Sequence, residues 1–179
     1  MIKPNKIAVL MGGPGEEREI SLQSGKAIQL ALEAIGYNVL GITLENKLGD
    51  IISDLHSIDL VFLGLHGNIG ENGTIQGFLE SLGVKYTGSD PLSSAICMDK
   101  NISKIIARDS KVNTPNWEIV TRGQTLNEDN SEFPLVIKPN DQGSTVGLTI
   151  VHDESELGPA LNLAYHYSSS CLLYTSPSP

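Results

Sequence analysis

Between residues 6 and 88, short apolar runs alternate with helix-length segments, and this alternation constrains the fold more than any other feature of the chain. KIAVLMGG (6–13), YNVLGITL (37–44), DLVFLGLHG (59–67) and KYTG (85–88) read as strands. SLQSGKAIQLALEAIG (21–36), LGDIISDLHS (48–57) and TIQGFLESLG (74–83) read as the helices between them. In the first helix Ser21 stands as N-cap, Ile28, Leu32 and Ile35 mark an apolar face, and Gly36 is the stop. Strands alternating with helices imply a parallel sheet with right-handed crossovers. Near-continuous apolar strands fit a sheet covered on both faces. Such sheets bind ligands at the carboxyl ends of their strands. GGPGEERE and LHGNIGENG both lie at such ends, which puts two loops on one rim.

Near Asp90 the pattern changes. PLSSAICMDKNISKIIARDSK (91–111) reads as helical, and Pro115 ends that region. WEIVT (117–121), PLVIKP (134–139) and GLTIVHD (147–153) read as strands joined by polar loops. ESELGPALNLAYHY (154–167) is a helical segment interrupted near its start by Gly158 and Pro159. This block reads as a separate, partly antiparallel α+β unit. The division expected is residues 1–92, an α/β domain, and residues 93–167, a second and incomplete domain. The stretch SSSCLLYTSPSP (168–179) is rich in Ser and Pro and shows neither helical nor strand period. It reads as a disordered or non-native tail.

Composition narrows the function. Of 179 residues, 40% are hydrophobic and 18% charged, enough for a packed core. The formal charge of −9 disfavours a general role on nucleic acid or anionic membrane, since either needs a basic face. No apolar run approaches the length needed to span a bilayer, and IAVLM is too short for the core of a signal peptide. The two cysteines, Cys97 and Cys171, have no metal-ligand spacing and form no disulfide framework. A reduced, cytoplasmic setting is expected.

Three segments could carry chemistry. In VIKPNDQGSTVG (136–147) a strand delivers Lys138, and the following loop holds Gly143, Ser144, Thr145 and Gly147. Glycine N–H groups, hydroxyls and a lysine suit phosphate. A polar hairpin with a surface lysine would look the same. The chain has neither GxxxxGK[ST] nor a GxGxxG after its first strand. Lys100 opens a helix, where it opposes the dipole; a bound anion would give it a reason, and taken alone it reads as a solvated lysine. His66 ends an apolar strand beside glycines and could donate to a carboxylate or cap a turn. The glycine loop with Glu16, Glu17 and Glu19 would repel phosphate. Glu17 suits an ammonium group instead, and Ser21 at the helix start suits a carboxylate, so a small amino acid fits the loop. Equally, the three glutamates suit the helix N-terminus through its dipole.

Four motifs in order, GGPGEEREISLQSG, GLHGNIGENGTIQGFLE, YTGSDPLSSAICMDK and PLVIKPNDQGSTVG, resemble the D-alanine–D-alanine ligase family of the ATP-grasp superfamily. The resemblance covers residues 5 to about 166. It implies a Rossmann-like N-terminal sheet that binds substrate, followed by part of an α+β ATP-grasp central domain. It further implies ATP- and Mg²⁺-dependent joining of two D-alanines for peptidoglycan through an acyl phosphate. By this resemblance Glu17 accepts the ammonium of the first D-alanine, and His66 lies near that substrate's carboxylate. Ser144 is the hydroxyl linked to Glu17. Lys100 and Lys138 contact the phosphates of ATP under the loop 141–147. Homodimers formed through the N-terminal part are common in such a family.

Departures from the family pattern also matter. The hinge that holds adenine, the mobile loop, and the C-terminal domain with its Mg²⁺ ligands and phosphoryl-stabilising arginine have no counterpart in this sequence. The chain is therefore expected to be inactive alone, with its Mg²⁺ ligands in the missing domain. Two other functions remain: a non-catalytic amino-acid-binding module, and another ATP-grasp carboxylate–amine ligase. The choice among D-alanine, D-lactate and D-serine as second substrate lies outside these residues.

Overall fold

The computed structural model describes residues 4–124 and 133–175. The chain divides into two compact units, Met1–Ala95 and Ile96–Pro179.

The first unit is a three-stranded parallel sheet with helical crossovers. Strand β1 (Lys6–Gly12) is central, flanked by β2 (Asn38–Leu44) and β3 (Leu60–Leu63). Val9 stands opposite Gly41 on one side and Phe62 on the other. Ala8, Val9 and Leu10 are fully buried, as expected of a middle strand covered on both faces. Helix α1 (Arg18–Ala34) crosses from β1 to β2. It lies so close to the sheet that a Cβ on Gly25 would stand 2.4 Å from the Cβ of Met11. A 3₁₀ turn (Leu48–Ile51) and α2 (Ile52–Leu55) lead to β3, followed by α3 (Asn68–Glu71) and α4 (Thr74–Ser81). Leu10, Leu44, Val61, Ile75 and Leu79 form a fully buried core. Each such side chain is worth roughly 1.5–3 kcal/mol relative to exposure.

Two local expectations are corrected here. Helix α1 begins at Arg18 with Glu17 as its N-cap, so Ser21 sits within the first turn and faces the sheet. The expected strand at 85–88 is a single parallel bridge between Tyr86 and Val61.

α5 (Pro91–Met98) and α6 (Lys100–Asp109) replace the single helix expected over 91–111. The break is at Asp99, whose extended backbone and side-chain bond to the Ile102 N–H make it the N-cap of α6. The sheet of the second unit has the order β4-β7-β5-β6, and every pairing is antiparallel. Its strands are β4 (Glu118–Thr121), β5 (Leu135–Pro139), β6 (Thr149–Val151) and β7 (Ser170–Thr175), with α7 (Glu154–Tyr167) between β6 and β7. Asp153 caps α7 by accepting from the Ser155 N–H, and the helix runs through Gly158 and Pro159 to bury Leu157, Ala160 and Ala164. Proline removes one N–H from such a helix, which a capped start and a buried face outweigh.

Strand β7 corrects the expected tail. Ser170–Thr175 is an interior strand paired with both β4 and β5, with Cys171 and Leu172 fully buried. A strand covered on both faces reads as a continuous apolar run, so CLL shows no alternation. Residues 176–179 of that expected tail lie outside the described residues. Among the described residues, no helix is long and apolar enough to cross a membrane.

Candidate functional site

In the first unit the carboxyl ends of β1 and β3 converge. The Ser21 hydroxyl donates to the Gly64 carbonyl at 2.7 Å and accepts from the Gly12 N–H at 2.9 Å. Ser21 is fully buried, so it fastens the two strand ends together beneath the rim. One turn along α1, Ser24 Oγ lies 3.0 Å from His66 Nε2. His66 Nδ1 is 3.9 Å from Glu71 Oε1, at the outer limit of an ion pair.

Glu17 reaches the same place. Its side chain caps no helical N–H. Instead, a Cβ on Gly67 would stand 2.3 Å from Glu17 Oε2. Gly67 has φ 62 and ψ 178, a conformation almost confined to glycine. Thus the carboxylate of Glu17 occupies space that a side chain at 67 would fill, next to His66. The Glu17 carboxylate lies against the residue that follows His66, and a carboxylate and an imidazole at one sheet rim suit the two ends of an amino acid zwitterion.

Arg18 holds the loop in shape. Its guanidinium donates to the carbonyls of Gly13 at 3.2 Å and Leu44 at 2.9 Å. It also pairs with both oxygens of Glu45 at 2.8 Å.

In the second unit Lys100, Lys104 and Lys138 line one cavity of about 350 Å³ with Cys97, Ser103, Pro115, Leu172 and Tyr174. No carboxylate is among these lining residues. The Lys100 ammonium donates to the carbonyls of Asn140 and Gln142. Asn140 also accepts from the Asn101 N–H through its side chain at 2.9 Å. The start of α6 thereby grips the loop that follows β5. Burial, then the neighbouring Lys138 charge, pushes the Lys100 pKa below the usual lysine value. In that loop Gly143 is half-buried, and Ser144 and Thr145 are exposed. Ser144 has a positive φ of 51.

Glu17, Ser21 and His66 thus gather at one rim, and Lys100, Lys138 and the 143–145 loop gather in the other unit. The sequence pattern singles out none of Ser24, Arg18, Gly67, Lys104 and Trp117. One signal was available, because Lys100 and Lys104 are spaced i, i+4 and so share a helix face. Among the described residues, no three His, Cys, Asp or Glu side chains come together as a metal site.

A family model described as D-ala D-ala ligase N-terminus matches residues 45–89, and one described as D-ala D-ala ligase C-terminus matches residues 106–175. A D-alanine–D-alanine ligase of Bacillus anthracis is 44% identical over 171 residues, covering 94% of this chain and 56% of the relative. The enzyme of that name from Aquifex aeolicus is 44% identical over 153 residues, covering 85% and 52%. A crystal structure of the B. anthracis ligase superposes with a TM-score of 0.89 at 42% identity, over 97% of this chain and 58% of that one. A structure of the B. anthracis ligase complexed with ATP gives 0.87 at 40% identity, over 97% and 59%. The chain spans little more than half the length of the relatives it matches.

Proposed function

We infer that this chain, which belongs to the D-alanine–D-alanine ligase family, carries the first-substrate rim and part of the nucleotide site of an enzyme that joins two D-alanines using ATP. The observation that carries the reading is the Glu17 carboxylate set against Gly67, the residue that follows His66. In this reading Glu17 accepts the ammonium of the first D-alanine, and His66 faces its carboxylate. Ser21 orients the rim from below rather than touching substrate, since both its bonds go to backbone.

ATP supplies the γ-phosphoryl group that makes the first carboxylate an acyl phosphate, ADP leaving; the second amine then attacks the acyl carbon and displaces inorganic phosphate. Catalysis of this kind rests on positioning and charge neutralisation. Lys100 and Lys138 supply positive charge at the phosphates, and Gly143, Ser144 and Thr145 supply the covering loop. A lysine-lined cavity with no lining carboxylate among the described residues fits a polyphosphate. Mg²⁺, when bound, would supply charge neutralisation at the phosphates, and among the described residues no cluster is assigned to hold it. The product serves peptidoglycan synthesis in the cytoplasm, and the chain as it stands is inactive.

Binding and turnover test this reading. Titration of the chain with D-alanine should shift the His66 imidazole resonances, while Glu17→Gln removes the response. An undisturbed His66 at saturating D-alanine would refute the substrate assignment. Phosphate release from ATP, Mg²⁺ and D-alanine should not exceed background. Steady turnover would refute the inactivity.

A further inference from the structure

The cavity of the second unit holds one more cation than the nucleotide reading uses. Lys104 lies one turn beyond Lys100 on α6 and lines the same space. Its ammonium sits 4.9 Å from the centroid of the Trp117 ring and donates to Thr114 Oγ1. Trp117 is itself fixed, because its indole N–H donates to Asn101 Oδ1 at 2.8 Å. Asn101 in turn donates through its backbone to Asn140, in the loop after β5. The platform beneath Lys104 is therefore tied to the phosphate loop through two hydrogen bonds.

How the lysine is held decides what it can do. A carboxylate partner would fix an ammonium and also cancel its charge. An aromatic face fixes it through the ring quadrupole and leaves the full positive charge for something else. Three ammonium groups around one cavity of about 350 Å³, with no carboxylate lining it among the described residues, repel one another, and Asp141 and Asp99 offset only part of this at Lys100. Burial and the Lys138 charge hold the Lys104 pKa down, in keeping with that repulsion.

We propose that Lys104, seated on Trp117, is a third cationic contact for the polyphosphate of a nucleoside triphosphate. The proposal rests on the nucleotide reading of this cavity and adds a residue to it. The alternative role for Lys104 is to cover the indole with its alkyl stem.

Trp117 is the one tryptophan of the chain and Cys97 lines the same cavity, so the site carries two reporters. The full chain is titrated with ATP, inorganic tripolyphosphate and adenosine, following Trp117 emission and the rate at which a neutral maleimide alkylates Cys97. ATP and tripolyphosphate should change the emission and slow alkylation, and adenosine should do far less. Lys104→Met should weaken ATP and tripolyphosphate binding by roughly tenfold or more, the loss expected for one charge-assisted contact. Lys104→Arg should stay within about threefold of the parent, because it keeps the charge and the aromatic seat. Unchanged ATP affinity in Lys104→Met, with Lys138→Met weakened, would overturn the proposal and leave the nucleotide reading standing. Equal weakening in Lys104→Met and Lys104→Arg would overturn it as well, since charge would not be the agent. A parent chain that responds to neither ATP nor tripolyphosphate would defeat the nucleotide reading itself, and the proposal with it.

Discussion

Ser21 and Gly64 are joined by a hydrogen bond of 2.7 Å from hydroxyl to carbonyl, across 43 residues of chain. With the Gly12 N–H bound to the same hydroxyl, this one side chain links the ends of β1 and β3. Ser21→Ala should cost about 1–3 kcal/mol, because it strands a buried donor and a buried acceptor. Urea unfolding of the chain gives the number. A cost below about 0.5 kcal/mol would mean that water or another group satisfies Gly12 and Gly64.

Gly67 tests the rim more directly. An alanine there would meet Glu17 Oε2 at 2.3 Å and must hold φ 62 with ψ 178. Gly67→Ala should destabilise the fold by about 1–3 kcal/mol and weaken D-alanine binding. Calorimetry paired with a D-alanine titration separates the two effects. Unaltered affinity would place the substrate away from Glu17.

Arg18 makes two kinds of contact, and their magnitudes differ. Its pair with Glu45 is partly exposed, at 29% and 63%, so Glu45→Gln should cost no more than about 1 kcal/mol. Its bonds to the Gly13 and Leu44 carbonyls are charge-assisted and half-buried. Arg18→Met should therefore cost more, about 1.5–3 kcal/mol. Equal losses in the two variants would assign the clamp to the ion pair instead.

Acid should loosen the start of β1. Asp59 accepts from the backbone N–H groups of Lys6 at 2.9 Å and Asn5 at 2.8 Å, and these bonds lower its pKa below the usual aspartate value of 3.8. A carboxyl with a lowered folded pKa contributes stability that is present above the unfolded value and lost as pH falls through the folded one. Asp59→Asn should flatten the stability profile below about pH 4 and change little near neutrality. An unchanged acid limb in that variant would show that other groups set it.

The two thiols should react differently. Cys97 is exposed, whereas Cys171 is buried in the middle strand of its sheet, with its pKa pushed up to about 11 by burial. A thiol reagent near neutral pH should modify one cysteine quickly and the second only on unfolding. Mass spectrometry after trypsin digestion assigns the fast site. Rapid labelling of Cys171 would mean that β7 opens under native conditions.

The strands β1, β2 and β3 of the first unit were legible because a parallel sheet writes its burial into continuous apolar runs such as IAVLM. His66 and Lys138 stood out because each lies beside glycine or proline near the end of a strand, and Glu17 and Lys100 because each lies at a helix start. What surrounds them was not legible. Ser24 reaches His66 across 42 residues, and Thr114 reaches Lys104 across 10. Such partners leave no local period to read.

By itself, then, the sequence carried the βαβ order of the first unit, the family resemblance and the residues proposed for the site. These follow from local pattern and from motifs with their spacing. Only the tertiary structure decided that Ser21 fastens strand ends instead of capping a helix. It also decided that CLL is an interior strand, that Gly67 makes room for Glu17, and that Lys104 rests on Trp117. Each of these depends on where a remote backbone or ring arrives once the core has packed. Close packing fixes such approaches to tenths of an ångström, and no spacing along the chain encodes them.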